Sequence, residues 1–140
     1  MLLSNQGPAR YLHENGALGT FLLSDTAASP RSWEQTSLEN ESYPAYPDED
    51  CYHIAGTTGS LSVPTMRLRV FGGTRSWWEP FDETTVELER SDPLANQVDH
   101  FAAVIRGEAE PVCSGRDGLE TLQVVDAVLE AARSGQPVRV

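Results

Sequence analysis

The sequence predicts an α+β domain, an open-faced and mostly antiparallel sheet with helices packed on one face. Two patterns predict it. Through the middle of the chain apolar residues alternate with polar ones, as in Leu61 and Val63, then Met66, Leu68 and Val70, then Val86 and Leu88. That period of two belongs to strands with one buried and one polar face. After Arg90 the spacing turns helical, with Leu94, Val98, Phe101, Ala102 and Ile105 sharing one face. With 140 residues, one domain over 1–140 is the expected organisation.

The elements follow in order. Tyr11–His13 and Ala17–Ser24 are apolar-rich runs on either side of Glu14-Asn15-Gly16. Asn-Gly between such runs is a hairpin signal, because both residues tolerate positive φ. Residues 25–50 read as one long irregular loop, rich in proline and acidic side chains; loops this long tend to be functional or disordered. Cys51–Ala55 and Ser60–Val63 then flank Gly56-Thr57-Thr58-Gly59, a turn by composition. Arg67 and Arg69 are expected on the polar face, opposite Glu87 or Glu89. Trp77 and Trp78 are expected on opposite faces of a strand, one in the core and one available to a partner. Ser91-Asp92-Pro93 starts a helix that Gly107 ends. Asp117 signals a second helix, carrying Leu119, Leu122, Val125, Leu129 and Ala132 and stopped by Gly135. Pro137–Val140 reads as a short last strand.

Composition removes several function classes. The net charge of −11 disfavours nucleic acid and anionic membrane as partners. All ten basic residues are arginine, so no lysine can form a Schiff base, hold a nucleotide phosphate or act as general acid. The start, Met1–Gln6, has neither the basic nor the apolar region of an export signal, and no long apolar run follows, so a cytoplasmic location is expected. On that basis Cys51 and Cys113 are expected as free, buried thiols.

Three segments carry a resemblance. Glu14-Asn15-Gly16-Ala17-Leu18-Gly19-Thr20, Ile54-Ala55-Gly56-Thr57-Thr58-Gly59-Ser60-Leu61 and the run from His100 to Pro111, continued by Ser114–Leu119, occur in that order over about Tyr11 to Val140. Together they resemble the C-terminal region of the glucose-fructose oxidoreductase / inositol dehydrogenase / MocA family. The resemblance implies one half of a two-domain enzyme. A separate dinucleotide-binding domain would hold NAD or NADP, while this domain walls the cleft for a small polar substrate such as a sugar, polyol or dihydrodiol. It also implies a homodimer formed through the open sheet face. The chain departs from the full pattern. It has no G-x-G-x-x-G after a strand. The family's Glu-Lys-Pro lysine has no counterpart, and its Asp-x-x-x-His pair fails at His13, because Ala9 stands four residues earlier. No catalytic or cofactor-binding residue is therefore assigned, and the chain is expected to be inactive alone, as a truncated oxidoreductase domain. The alternative is a stand-alone dimeric scaffold or small-ligand module without catalysis.

Ser24–Glu34 resembles a subgroup of the family likened to dihydrodiol dehydrogenases, which nominates Arg31 and Trp33 for the substrate cleft. Arg31 would meet hydroxyls or a carboxylate, and Trp33 would stack on a ring. The plainer alternative has Trp33 anchoring the loop and Arg31 pairing with Glu34 or Asp25. Arg67, Arg69, Trp77 and Glu87 are the interface candidates. Cys51 and His53 share a strand face but make too few ligands for a metal. His100 is expected as a hydrogen-bonded helix histidine, and the acidic residues of the long loop lack calcium-loop spacing.

Overall fold

The computed structural model describes residues 7–24 and 26–140. Met1–Gln6, read above for an export signal, and Asp25, named above as a partner for Arg31, lie outside the described residues. In chain order the elements are β1 (Gly7–Leu12), β2 (Leu18–Leu23), α1 (Trp33–Thr36), β3 (Tyr52–Ala55), β4 (Gly59–Val63), β5 (Arg67–Val70), β6 (Asp82–Thr85), α2 (Pro93–Ile105) and α3 (Gly115–Ser134). The strands form a two-stranded and a four-stranded sheet, both antiparallel and neither closed. The α+β reading with an open antiparallel sheet holds. By packing, the chain divides into two compact units, Met1–Ala27 with His100–Val140, and Ala28–Asp99.

In the first unit, β1 and β2 pair as the predicted hairpin, with Leu12 opposite Leu18 and Arg10 opposite Thr20. The His13 amide donates to the Ala17 carbonyl at 2.9 Å, and Asn15 Oδ1 accepts from the Ala17 amide at 3.0 Å. Gly16 sits at φ 85°, the left-handed region where a side chain is strained. The helix α3 begins two residues before the position predicted from Asp117. Ser114 is its N-cap, and Asp117 completes a capping box by accepting from the Ser114 amide at 2.7 Å. Gly135, at φ 67°, closes it in the left-handed conformation. The segment Pro137–Val140 is not a strand, since it pairs with no strand among the described residues.

The second unit is a meander in the order β3-β4-β5-β6. Residues directly opposite share a face, so the register sorts the sheet into two sides. Ile54, Leu61, Leu68 and Thr84 align on one; His53, Ser62, Arg67 and Thr85 align on the other, beside Ala55, Ser60, Arg69 and Glu83. Gly59 is a position where only glycine fits, since an added Cβ would collide with the Arg69 carbonyl oxygen. The last strand differs from expectation. It spans Asp82–Thr85, and only the Val86 amide, donating to Met66 at 2.9 Å, extends the pairing. The alternation of Val86 and Leu88 therefore marks exposed chain and not strand. The helix α2 starts in this unit where predicted, Asp92 Oδ1 accepting from the amides of Leu94 and Ala95 at 2.9 and 3.2 Å. It ends before Gly107, at φ 73°.

Burial is unusual. Among the described residues the buried ones are Thr36, Ser37, Asp50, Ser62 and Pro64; no larger apolar side chain is buried. Neither α2 nor α3 buries any residue. Leu94, Val98, Phe101 and Ile105 on α2, and Leu119 and Leu122 on α3, are all more than half exposed. No helix among the described residues is long and apolar enough to cross a membrane.

Candidate functional site

The 25–50 loop is more ordered than its composition predicts. Ser32 caps the short helix α1, accepting from the Gln35 amide, and the Thr36 hydroxyl donates to the Ser32 carbonyl at 2.7 Å. Further bonds tie the loop down. The Tyr46 amide donates to the Gln35 carbonyl at 2.7 Å, and Arg90 Nη1 donates to the Ser37 carbonyl at 2.6 Å.

Both cleft candidates lie in this loop, and both are engaged. Trp33 donates its indole N–H to Glu39 Oε2 at 2.8 Å and leans on Tyr52 at 6.0 Å between ring centroids. Arg31 Nε reaches Glu49 Oε2 at 3.0 Å, so among the described residues its partner is Glu49 and not Glu34. These contacts hold the Trp33 ring in place. They also leave the Arg31 guanidinium largely in solvent, its side chain 63% exposed.

The strongest polar cluster is one that composition did not single out. Asp50 ends the long loop with its side chain 2% exposed. Its Oδ1 accepts from the Thr65 hydroxyl at 2.6 Å and the Thr65 amide at 3.0 Å, and its Oδ2 accepts from Arg67 Nη2 at 2.7 Å. Burial alone would raise its pKa. The bonds from the Thr65 hydroxyl, Arg67 and the Thr65 amide, with the Arg67 charge, outweigh that and hold Asp50 below its ordinary value. The same pairing raises the Arg67 pKa further, while Arg67 Nε is buried without a hydrogen-bond partner among the described residues. A sequence signal existed in principle: an aspartate just before a strand, fifteen residues ahead of a Thr at the next turn. Nothing local in that spacing distinguishes it from the neighbouring acidic residues.

The interface candidates separate into two kinds. Arg67 is committed to Asp50, and Arg69 Nε pairs with Glu83 Oε2 at 2.6 Å across β5 and β6; neither meets Glu87 or Glu89. Glu87 is exposed. Trp77 and Trp78 stand on the loop between β5 and β6, at 102% and 92% exposure, so neither enters a core as expected. His53 Nδ1 lies 3.4 Å from the Ser62 hydroxyl, and Cys51 Sγ lies 3.7 Å from the Val63 carbonyl. Among the described residues no group of three His, Cys, Asp or Glu side chains is placed to hold a metal. Both thiols are free, but Cys51 is half-buried and Cys113 exposed, which corrects the expected burial. His100 accepts from the Val112 amide at 3.3 Å, as a structural helix histidine would.

The open antiparallel meander, the two capped helices and the motif-bearing turns at 14–20 and 54–61 make up an α+β fold that is not closed. The family model described as the oxidoreductase family, C-terminal alpha/beta domain (GFO_IDH_MocA_C), matches residues 11–140, and the chain belongs to that family. A D-apiose dehydrogenase of Paraburkholderia graminis is 35% identical over 63 residues, a segment that is 45% of this chain and 14% of that relative. No solved structure matches.

Proposed function

We propose that this chain is the substrate-side domain of a cytoplasmic NAD(P)-dependent oxidoreductase acting on a sugar, polyol or dihydrodiol. In this reading another domain supplies the cofactor site. The family match over residues 11–140 carries the reading, and the D-apiose dehydrogenase segment favours a sugar over a dihydrodiol.

The chain's own residues do not fit a nicotinamide dinucleotide. A pyrophosphate is held at a free helix N-terminus that follows a parallel strand. Here the paired strands are antiparallel. The N-termini of both long helices already hold a carboxylate, Asp92 on α2 and Asp117 on α3. A second anion at either end would meet like charge. Hydride transfer also needs an acid-base group at the substrate. With no lysine, with His100 and His53 in structural contacts and with Ala9 where His13 would need an aspartate, the domain offers binding and orientation. Arg31 and Trp33 are the proposed substrate-facing pair, Trp33 fixed by Glu39 and Arg31 exposed beside it.

The open meander is also proposed to pair with a second copy, through the open sheet face that carries Arg67 and Arg69. The stand-alone scaffold is the second reading, favoured by the bare Trp77, which a partner copy would then cover. Reconstitution tests the first. Joined to a dinucleotide-binding domain of the same family, the chain should oxidise a sugar or polyol with NAD+ or NADP+, and Arg31→Ala should raise KM more than it lowers kcat. A joined protein that turns over none of these substrates with either cofactor contradicts the proposal.

A further inference from the structure

At the turn end of the meander, the Gly56–Gly59 turn and the loop joining β5 to β6 border a half-open pocket of about 460 Å3, within the size range of small-ligand sites. Phe71 and Phe81 line it with their rings 4.5 Å apart, together with Ala55 and Ser60 of the sheet. The outer wall carries Arg75, Trp77 and Glu79. Trp77 is fully exposed, and an indole held in water has a large apolar face with no partner. Five ion pairs occur among the described residues, and neither Arg75 nor Glu79 belongs to any of them, nor do the two pair with each other. The cavity thus offers a five-donor fork and an acceptor pair, both unspent, beside an aromatic platform.

That combination selects a ligand. An anion would suit Arg75 but would meet Glu79, the neighbouring Asp82 and a chain of net charge −11. A cation would suit Glu79 and be repelled by Arg75. A neutral group that donates and accepts at once satisfies both, and hydroxyls do so. We propose that this cavity binds a neutral polyhydroxylated ring, its C–H face stacked on Trp77 and its hydroxyls bridged between Arg75 and Glu79. The site is separate from the Arg31–Trp33 cleft. Trp33 rests against Tyr52, at the opening of β3, while Ala55 at the far end lines the cavity, roughly 10 Å away along the strand. Binding here requires no cofactor, so its failure leaves the oxidoreductase reading standing, and the converse holds.

The test follows the three tryptophan indole N–H signals of the 140-residue chain by NMR, titrated with myo-inositol and methyl glucoside. Glucuronate and glucosamine serve as charged controls. The Trp77 signal, assigned with Trp77→Phe, should move saturably with the neutral rings, at millimolar affinity or weaker. Either Arg75→Gln or Glu79→Gln should weaken binding by about tenfold, the loss expected for one well-placed contact, with the amide spectrum of β3 to β6 unchanged. The charged rings should bind several-fold more weakly. Absence of a saturable shift, a shift confined to Trp33, equal affinity for glucuronate, or unchanged affinity in both variants would overturn the proposal. So would a concentration-dependent Trp77 shift without ligand that blocks binding, which would assign the loop to a second copy.

Discussion

In the meander unit the buried side chains other than Pro64 are polar, and each belongs to a directional contact: Thr36 on Ser32, the Ser37 hydroxyl under the Glu39 amide, Asp50 on Thr65 and Arg67, Ser62 beside His53. Along α2 and α3 nothing is buried, and order comes from the ends inward, through Asp92, the Ser114–Asp117 box and Gly135. In one region the bonds include several that join separate elements, as from Asp50 to Thr65 and Arg67; in the helices they lie within the element. Side-chain changes should therefore matter most where the bonds cross the sheet, next at the helix caps, and least on the apolar helix faces.

The largest effect is expected at Asp50. Asp50→Ala strips partners from the half-buried Thr65 amide and hydroxyl and from Arg67, and should lower stability by about 1.5–3 kcal/mol in urea unfolding of the meander. A loss below about 0.5 kcal/mol would mean that the latch does not hold the sheet. The same carboxylate sets a pH dependence. Its folded pKa lies below the unfolded value, so its stabilisation is complete above about pH 5 and is lost as pH falls from there through the folded pKa. Asp117 shifts in the same direction, held low first by the Ser114 hydroxyl and then by the Ser114 amide, so α3 should fray over the same acidic range. In Asp50→Asn the meander's share of that acid sensitivity should vanish while the α3 share, read by circular dichroism, remains. Ser114→Ala should cost about 1 kcal/mol through loss of the cap, seen as reduced helix content without change in the meander's amide spectrum. Smallest of all, Val98→Ser on the exposed face of α2 should shift unfolding of the 140-residue chain by no more than about 0.5 kcal/mol. A shift of 2 kcal/mol there would show that the face is packed and would erase the contrast.

The same contrast explains what was legible beforehand. Both helices were readable, because caps and breakers act within a few residues: Asp92-Pro93, Gly107 and Gly135 stand where the chain needs them. The hairpin was readable for the same reason, through Asn15-Gly16. Period two placed β4 and β5 but misled at Val86 and Leu88, since alternation records a pattern of side chains and not a partner strand; β6 lies earlier, where Glu83 meets Arg69. Trp77 and Trp78 misled similarly, their bulk suggesting a core that their loop does not enter. Asp50 was hidden because its partners are fifteen and seventeen residues away, a distance that no local rule spans. At the candidate cleft, resemblance nominated Arg31 and Trp33, but their partners Glu49 and Glu39 depend on how the loop folds back.

The proposed division, in which this chain binds and orients substrate while another domain holds the nicotinamide, is open to direct measurement. Equilibrium titration of the chain alone with NAD+ and NADP+, followed by calorimetry, tests it most directly. The account predicts no saturable heat with either cofactor, with or without a polyol present; a stoichiometric binding isotherm would contradict it.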